Sequence, residues 1–221
     1  MRKFVLSVLA VVSLAIAGLG AEQASASNPS LVPLIGLWRT GMDAGEHTIT
    51  VDGTAAPKPN EEPARKYFGA DAEAFLRVAG TPTIFPLAVA AGGGSFAGGT
   101  LRVDFKLLAG ATDQTAGIAF NIRPDNSYLY ARYNTKDGNV AIWKYERGER
   151  TVLAHGELHE QVALGAWHTL TVTISGRTVT AVVNDRHTVT HAIDRDVNGG
   201  AGLWTKADSV TAFRRFTATG R

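Results

Sequence analysis

Several stretches of the 221-residue chain combine flat rings with groups that donate or accept hydrogen bonds. GLWTKADS at 202–209 sets Trp204, Lys206 and Asp208 on alternate positions. SYLYARYN puts Tyr128, Tyr130, Arg132 and Asn134 opposite Leu129, Ala131 and Tyr133. NVAIWKYE opposes Asn139, Ala141, Trp143 and Tyr145 to Val140 and Ile142, and AGIAFNIR carries Asn121 and Arg123 opposite Ile118, Phe120 and Ile122. Side chains alternate between the two faces of a strand, so each segment offers one apolar face for a core and one face mixing aromatic, amide and cationic groups. Such a face suits a sugar, whose C–H surface stacks on a ring while its hydroxyls take directional hydrogen bonds. The candidate ligand-binding residues are Asn121, Arg123, Tyr130, Arg132, Asn134, Trp143, Trp204, Lys206 and Asp208. If the face is instead filled by a loop from the N-terminal third, Arg132 needs a counter-charge, and Asp208 is the expected one.

Cleaving a glycosidic bond asks for more: two carboxylates flanking the bond, about 5–5.5 Å apart in retaining enzymes and about 6.5–9.5 Å in inverting ones. Acidic residues in the predicted strands are few, namely Asp104, Glu146 and Asp208, while Glu73, Glu149, Glu157 and Glu160 fall in predicted helix or loop. The catalytic set stays undefined, and a dyad drawn from distant segments stays open. His155 with His159, and His187 with His191, have the i, i+4 spacing that converges on zinc from a helix, but neither segment reads as helical. On a strand the rings of HTVTH stand about 13 Å apart, too far for one metal. The cluster Gly92-Gly93-Gly94 with Gly98-Gly99 lacks the lysine of a phosphate loop and reads as a turn. Trp167, beside His168 at the start of a strand, reads as a core plug.

The elements that must carry these residues are mostly strands. From LRVDFKLL to TAFRRFTAT, short runs rich in Val, Ile, Thr and aromatics alternate with turn signals such as Pro124-Asp125-Asn126, Lys136-Asp137-Gly138 and Ser175-Gly176. The pattern predicts an all-β sandwich or jelly roll. Nearer the N-terminus, DAEAFLRVAG predicts a short helix over 71–80, TAAPKPNEEPARK reads as a proline-rich charged loop, and TIFPLAV as a strand. At the start, MRK, the apolar run FVLSVLAVVSLAIAGL and Ala24-Ser25-Ala26 form a secretory signal peptide over 1–26, with cleavage expected after Ala26. The expected product, residues 27–221, is one domain, secreted or periplasmic. Its formal charge is near zero once Arg2, Lys3 and Glu22 leave, so bulk charge attracts no nucleic acid. The chain has no cysteine, hence no disulfide, and no later segment is apolar enough to span a bilayer.

The runs DQTAGIAFNIRPDNSYLYARYNTKDGNVAIWKYERGERTVL, GAWHTLTVTISGRTVTAVVNDRH and GGAGLWTKADSVTAFRRFTAT resemble bacterial exported proteins of the concanavalin A-like, laminin-G-like superfamily. Within it the chain is most similar to the group labelled 3-keto-disaccharide hydrolase-like or domain of unknown function. Asp113-Gln114 before Ala116-Gly117, the order Tyr128, Arg132, Asn134, the Gly165-x-Trp167-His168 strand start and the closing GLWTKADS carry the likeness. It implies a jelly-roll sandwich of two antiparallel sheets, one convex and one concave, and much less about activity, because this fold hosts lectins, glycan-cleaving enzymes and adhesion modules. Laminin-G-like sandwiches often hold calcium at the sheet rim. Asp113, Asp125 and Asp137 are the candidates for it here, although turn preference explains each equally; no other cofactor is expected. Three readings stay open: a lectin-like protein binding a carbohydrate or related polar ligand on the concave sheet without turnover, a glycan- or keto-sugar-cleaving hydrolase, and an adhesion domain with no small ligand.

Overall fold

The computed structural model describes residues 30–79, 84–92, 95–156 and 161–220. The expected leader, Gly93, Gly94, Glu157, His159 and Glu160 lie outside them. The chain opens with strands β1 (Leu31–Ile35), β2 (Leu37–Asp43) and β3 (Glu46–Asp52). Helix α1 (Glu61–Phe68), a single 3-10 turn and helix α2 (Ala72–Ala79) come next. Then follow β4 (Leu87–Ala90), β5 (Gly99–Ala109), β6 (Thr115–Ile122), β7 (Tyr128–Asn134), β8 (Asn139–Glu146) and β9 (Glu149–His155). The chain ends with β10 (His168–Ser175), β11 (Thr178–Val183), β12 (His187–Ala192), β13 (Gly200–Trp204) and β14 (Val210–Gly220).

These strands form two antiparallel sheets of seven. The first runs β1-β4-β13-β6-β7-β8-β9 and the second β12-β11-β10-β5-β14-β3-β2. Period-two alternation explains why they face each other: Ile118, Phe120, Leu129, Ala131 and Tyr133 of the first sheet meet Leu101, Val103, Phe105, Leu170, Val172 and Phe213 of the second. The fold is therefore the all-β sandwich that the strand pattern predicts, with the two antiparallel sheets that the resemblance implies.

A third layer covers the first sheet. Its other face packs Leu87, Ala119, Tyr128, Tyr130, Tyr145 and Trp204 beneath Ala64 of α1, Phe75 and Ala79 of α2, and Phe85. As a result every residue of β7 and β13 is buried. α2 falls where a helix is expected, whereas α1 occupies a stretch read as loop. Glu61 and Glu62 in its first turn and Arg65 and Lys66 in its last complement the helix dipole. Pro63 is tolerated because backbone N–H groups of a first turn have no partner inside the helix. Asn60 anchors the helix start to β1 by donating to the carbonyls of Gly36 (3.0 Å) and Pro33 (3.3 Å).

The outer face of the second sheet has a different composition. Thr219, Thr100, Thr173, Thr180 and Thr190 stand in one row across β14, β5, β10, β11 and β12, all exposed or half-buried. Trp167 lies on this side and is no core plug. His168 pairs with Phe105 and faces inward, so its predecessor points out. There Trp167 donates from Nε1 to Asp43 (2.9 Å) under the Arg214 guanidinium, 4.0 Å from the ring centre, and Lys106, 4.7 Å away.

Candidate functional site

The fold distributes the predicted ligand residues over three places. Tyr130, Trp143 and Trp204 belong to the layer under the helices. Trp204 stacks on Tyr130 at 4.1 Å, meets Phe85 at 5.3 Å and donates from Nε1 to the Tyr128 hydroxyl (3.2 Å). Gly117 makes room for it, since a Cβ there would sit 3.0 Å from the indole. Tyr130 and Trp204 are both 0% exposed, so a sugar reaches neither ring without displacing the covering segment. Burial holds the Tyr128 phenol well above its ordinary range and pushes that of Tyr130 up to about 12. Trp143 is half-buried at the border of this layer, with the Arg132 and Arg150 guanidinium carbons 5.7 Å and 5.5 Å from its ring centre.

Arg132, Asn134, Lys206 and Asp208 form a polar network at one end of β6 and β7. The buried Arg132 pairs with Asp137 at 2.9 Å and also donates to the carbonyl (3.3 Å) and side chain of Asn139. Burial lowers its pKa and Asp137 opposes that shift. Asn134 donates to Asp113 (2.7 Å) and Asp137 (3.0 Å), and Lys206 closes the ring on Asp113 at 2.8 Å. The expected Arg132–Asp208 pair is not formed. β13 ends at Trp204, and the turn that follows, with Ala207 at φ 50°, re-aims Asp208 toward the β5–β6 loop. There its carboxylate accepts the backbone N–H groups of Ala111 (2.7 Å), Thr112 (3.0 Å) and Asp113 (3.0 Å), which lower its pKa to about 2. Asp113 and Asp137 do share Asn134, but each is matched by a cation, and Asp125 sits apart, accepting from Ser127. Among the described residues no group of three His, Cys, Asp or Glu is placed to hold a metal ion.

Asn121 and Arg123 lie at the opposite end. Asn134 pairs with Thr115, and Asn121 is six residues further along β6, about 20 Å away at strand rise. One ligand therefore does not bridge the two ends through a single sugar. Asn121 adopts φ 55° and accepts the Asn198 N–H (3.0 Å). Arg123 stands between two hollows. The larger, about 690 Å³, is the part of the first sheet's outer face that the helices leave open, with Lys66, Tyr67, Phe68, Arg123, Asn198 and Gly200 among its lining. The smaller, about 60 Å³, includes Asn121, Arg123, Lys144, Glu146, Asp194 and Arg195.

The last turn of α1 supplies the wall of the larger hollow. Tyr67 and Phe68 meet edge to face at 4.8 Å, and Tyr67 is half-buried, which raises its phenol pKa. Its hydroxyl lies so close over β13 that a Cβ on Gly200 would approach it to 2.5 Å. Among the described residues no carboxylate lines this hollow. Sequence reasoning missed Lys66, Tyr67 and Phe68 because the segment read as loop ends at Lys66 and the two aromatics follow it directly, before the helix expected over 71–80. The available signal was the i, i+4 spacing of Glu61 and Arg65, which are 3.7 Å apart in the helix.

Solved structures share this architecture. The carbohydrate-binding module CBM66 from Bacillus subtilis superposes with a TM-score of 0.63 at 14% identity, over 86% of this chain and 96% of that chain. A Bacillus subtilis protein of unknown function with a galectin-like fold gives a TM-score of 0.53 at 9% identity, over 88% of this chain and 90% of that chain. The chain thus shares a two-sheet β-sandwich fold with these structures; at these identities the likeness is one of fold. No protein-family model matches it, and no curated protein matches it in sequence.

Proposed function

We propose that the protein is an exported, lectin-like sandwich that binds a sugar without turnover in the groove between α1 and the β6–β7 turn. The observation that carries this reading is the approximately 690 Å³ hollow with a half-buried tyrosine on its wall and amide, hydroxyl and cationic groups around it. Tyr67 supplies a ring for stacking, and its hydroxyl, with Asn198 and Arg123, supplies the directional partners. The carbohydrate-binding module of similar fold supports the reading by analogy of architecture. Of the predicted site residues, Arg123 lines this groove and Asn121 adjoins it, while the Arg132–Trp143 border is the second place to look. The keto-sugar-cleaving alternative requires a carboxylate pair, or a carboxylate with a histidine, over one cleft, and the described lining of the groove has neither.

Glycan-array screening followed by calorimetric titration tests the proposal. Tyr67→Ala is expected to weaken binding about tenfold, or about 1.4 kcal/mol, in a protein that still unfolds in one cooperative transition, while Tyr67→Phe retains most of the affinity. A folded Tyr67→Ala protein that binds every glycan like the parent would sink the groove, and loss in Trp143→Ala alone would move the site to that border. Export is tested by the N-terminus of the protein recovered outside the cytoplasm, expected at Ser27.

A further inference from the structure

The charge of the groove lining narrows the kind of sugar. Resting on the sugar-binding reading above, we infer that the groove takes an acidic glycan, one carrying a uronate carboxylate beside a ring that stacks on Tyr67. Among the described residues Lys66 and Arg123 both line the hollow, no carboxylate does, and neither cation forms an ion pair, although Arg123 also borders the smaller hollow that includes Glu146 and Asp194. Cations in the other buried or half-buried polar clusters are matched: Lys106 with Asp43, Arg132 with Asp137, Lys206 with Asp113 and Arg214 with Asp104. Two positive groups lining one concave space raise the potential inside it, and a ligand carboxylate bound there is attracted by both. Concavity strengthens the effect, because low-dielectric walls focus the field that the cations project into the hollow.

The two cations differ in a way that suits this task. Arg123 is held at its backbone: its N–H donates to the Ser127 carbonyl (3.0 Å) and its own carbonyl accepts the Asn126 N–H (3.0 Å), so the side chain starts from a fixed turn. Its planar fork matches the two oxygens of a carboxylate. Lys66, exposed in the last turn of α1, is a mobile point charge on the facing wall and adapts to the ligand. Neutral sugars leave both charges unanswered, and the uronate of an otherwise identical chain answers both. Selectivity for acid over neutral sugar thus resides in Arg123 first and Lys66 second, while stacking on Tyr67 serves either.

Matched ligands separate this inference from the reading beneath it. Oligogalacturonate and the neutral galactan oligomer of equal length, together with polyglutamate as a non-sugar polyanion, are titrated calorimetrically into the parent, Arg123→Gln and Lys66→Gln at low and at physiological salt. The inference expects the uronate to bind at least tenfold tighter than its neutral counterpart, the difference to shrink with salt, and Arg123→Gln to erase most of it by weakening the uronate far more than the neutral oligomer. Equal binding of both oligomers, unaffected by Arg123→Gln, overturns the acidic preference and leaves sugar binding standing. Polyglutamate binding as tightly as the uronate also overturns it, since charge alone then suffices. Failure of the parent to bind any glycan, acidic or neutral, overturns both.

Discussion

The two outer faces of this sandwich are built by the same alternation and have opposite fates. On the first sheet the outward positions of β7, β8 and β13 carry Tyr128, Tyr130, Tyr145 and Trp204, and these vanish under α1, α2 and Phe85. On the second sheet the outward positions of β5, β10 and β11 carry Thr100, Thr173 and Thr180, half-buried or exposed. The contrast teaches that aromatics alternating along a strand mark a face meant to lose water, and leave open whether a ligand or the chain itself removes it. In this protein the chain does so over the centre of the sheet. The site is therefore sought where that cover stops, at the groove by Tyr67 and Arg123.

If the helical cover is an integral second core, deleting rings on either side of it should be among the costliest changes in the molecule. Trp204→Ala from below and Phe75→Ala from above are each expected to cost about 3–5 kcal/mol, as both side chains are fully buried. Urea unfolding checks this through a lowered midpoint at constant slope. A near-neutral Phe75→Ala would mean that α2 merely rests on the sheet, reopening Tyr130 and Trp204 as ligand contacts.

A smaller, pH-dependent effect is expected at the rim. Backbone N–H groups of Asp113, Thr112 and Ala111 hold the Asp208 carboxyl near 2, below its ordinary 3.8. Since its pKa is depressed on folding, its contribution is complete above about pH 4 and is lost as pH falls through 2, where the native carboxylate too is protonated. Asp208→Asn should unfold more readily than the parent at pH 7, and the two urea midpoints should converge between pH 4 and pH 2. A constant gap across that range would show that the amide geometry, and not the charge, anchors the β5–β6 loop.

How much of this was legible follows from what is local. Strands such as β6 and β10 declare themselves because their apolar residues recur every second position, and the sandwich follows from many such strands between turns. The Arg132–Asp137 pair is local too, five residues across the β7–β8 turn, yet alternation along GLWTKADS pointed to Asp208. Only the backbone turn at Ala207, with its positive φ, shows that Asp208 leaves the strand. α1 was hidden by Pro57, Pro59 and Pro63, which mimic a loop, although the last of them lies within a first helical turn where it costs little. The groove was beyond reach because its walls come from α1 and the β6–β7 turn, segments brought together only by packing.

The smallest expected effect tests the other half of the comparison. Thr173 and Thr180 are cross-strand neighbours whose side chains leave the second sheet outward, at the same period-two positions that carry Tyr130 and Trp143 in the first. With Thr173 exposed and no aromatic layer in that row, Thr173→Ala should shift stability by no more than about 0.5 kcal/mol. The same calorimetric titrations used for the groove should show unchanged glycan affinity. A cost above 1–2 kcal/mol, roughly what a buried polar group incurs when it loses its partner, would mean that something covers the threonine row in solution. The asymmetry between the faces would then lie in what covers each of them, and the second sheet would need its own search for a partner.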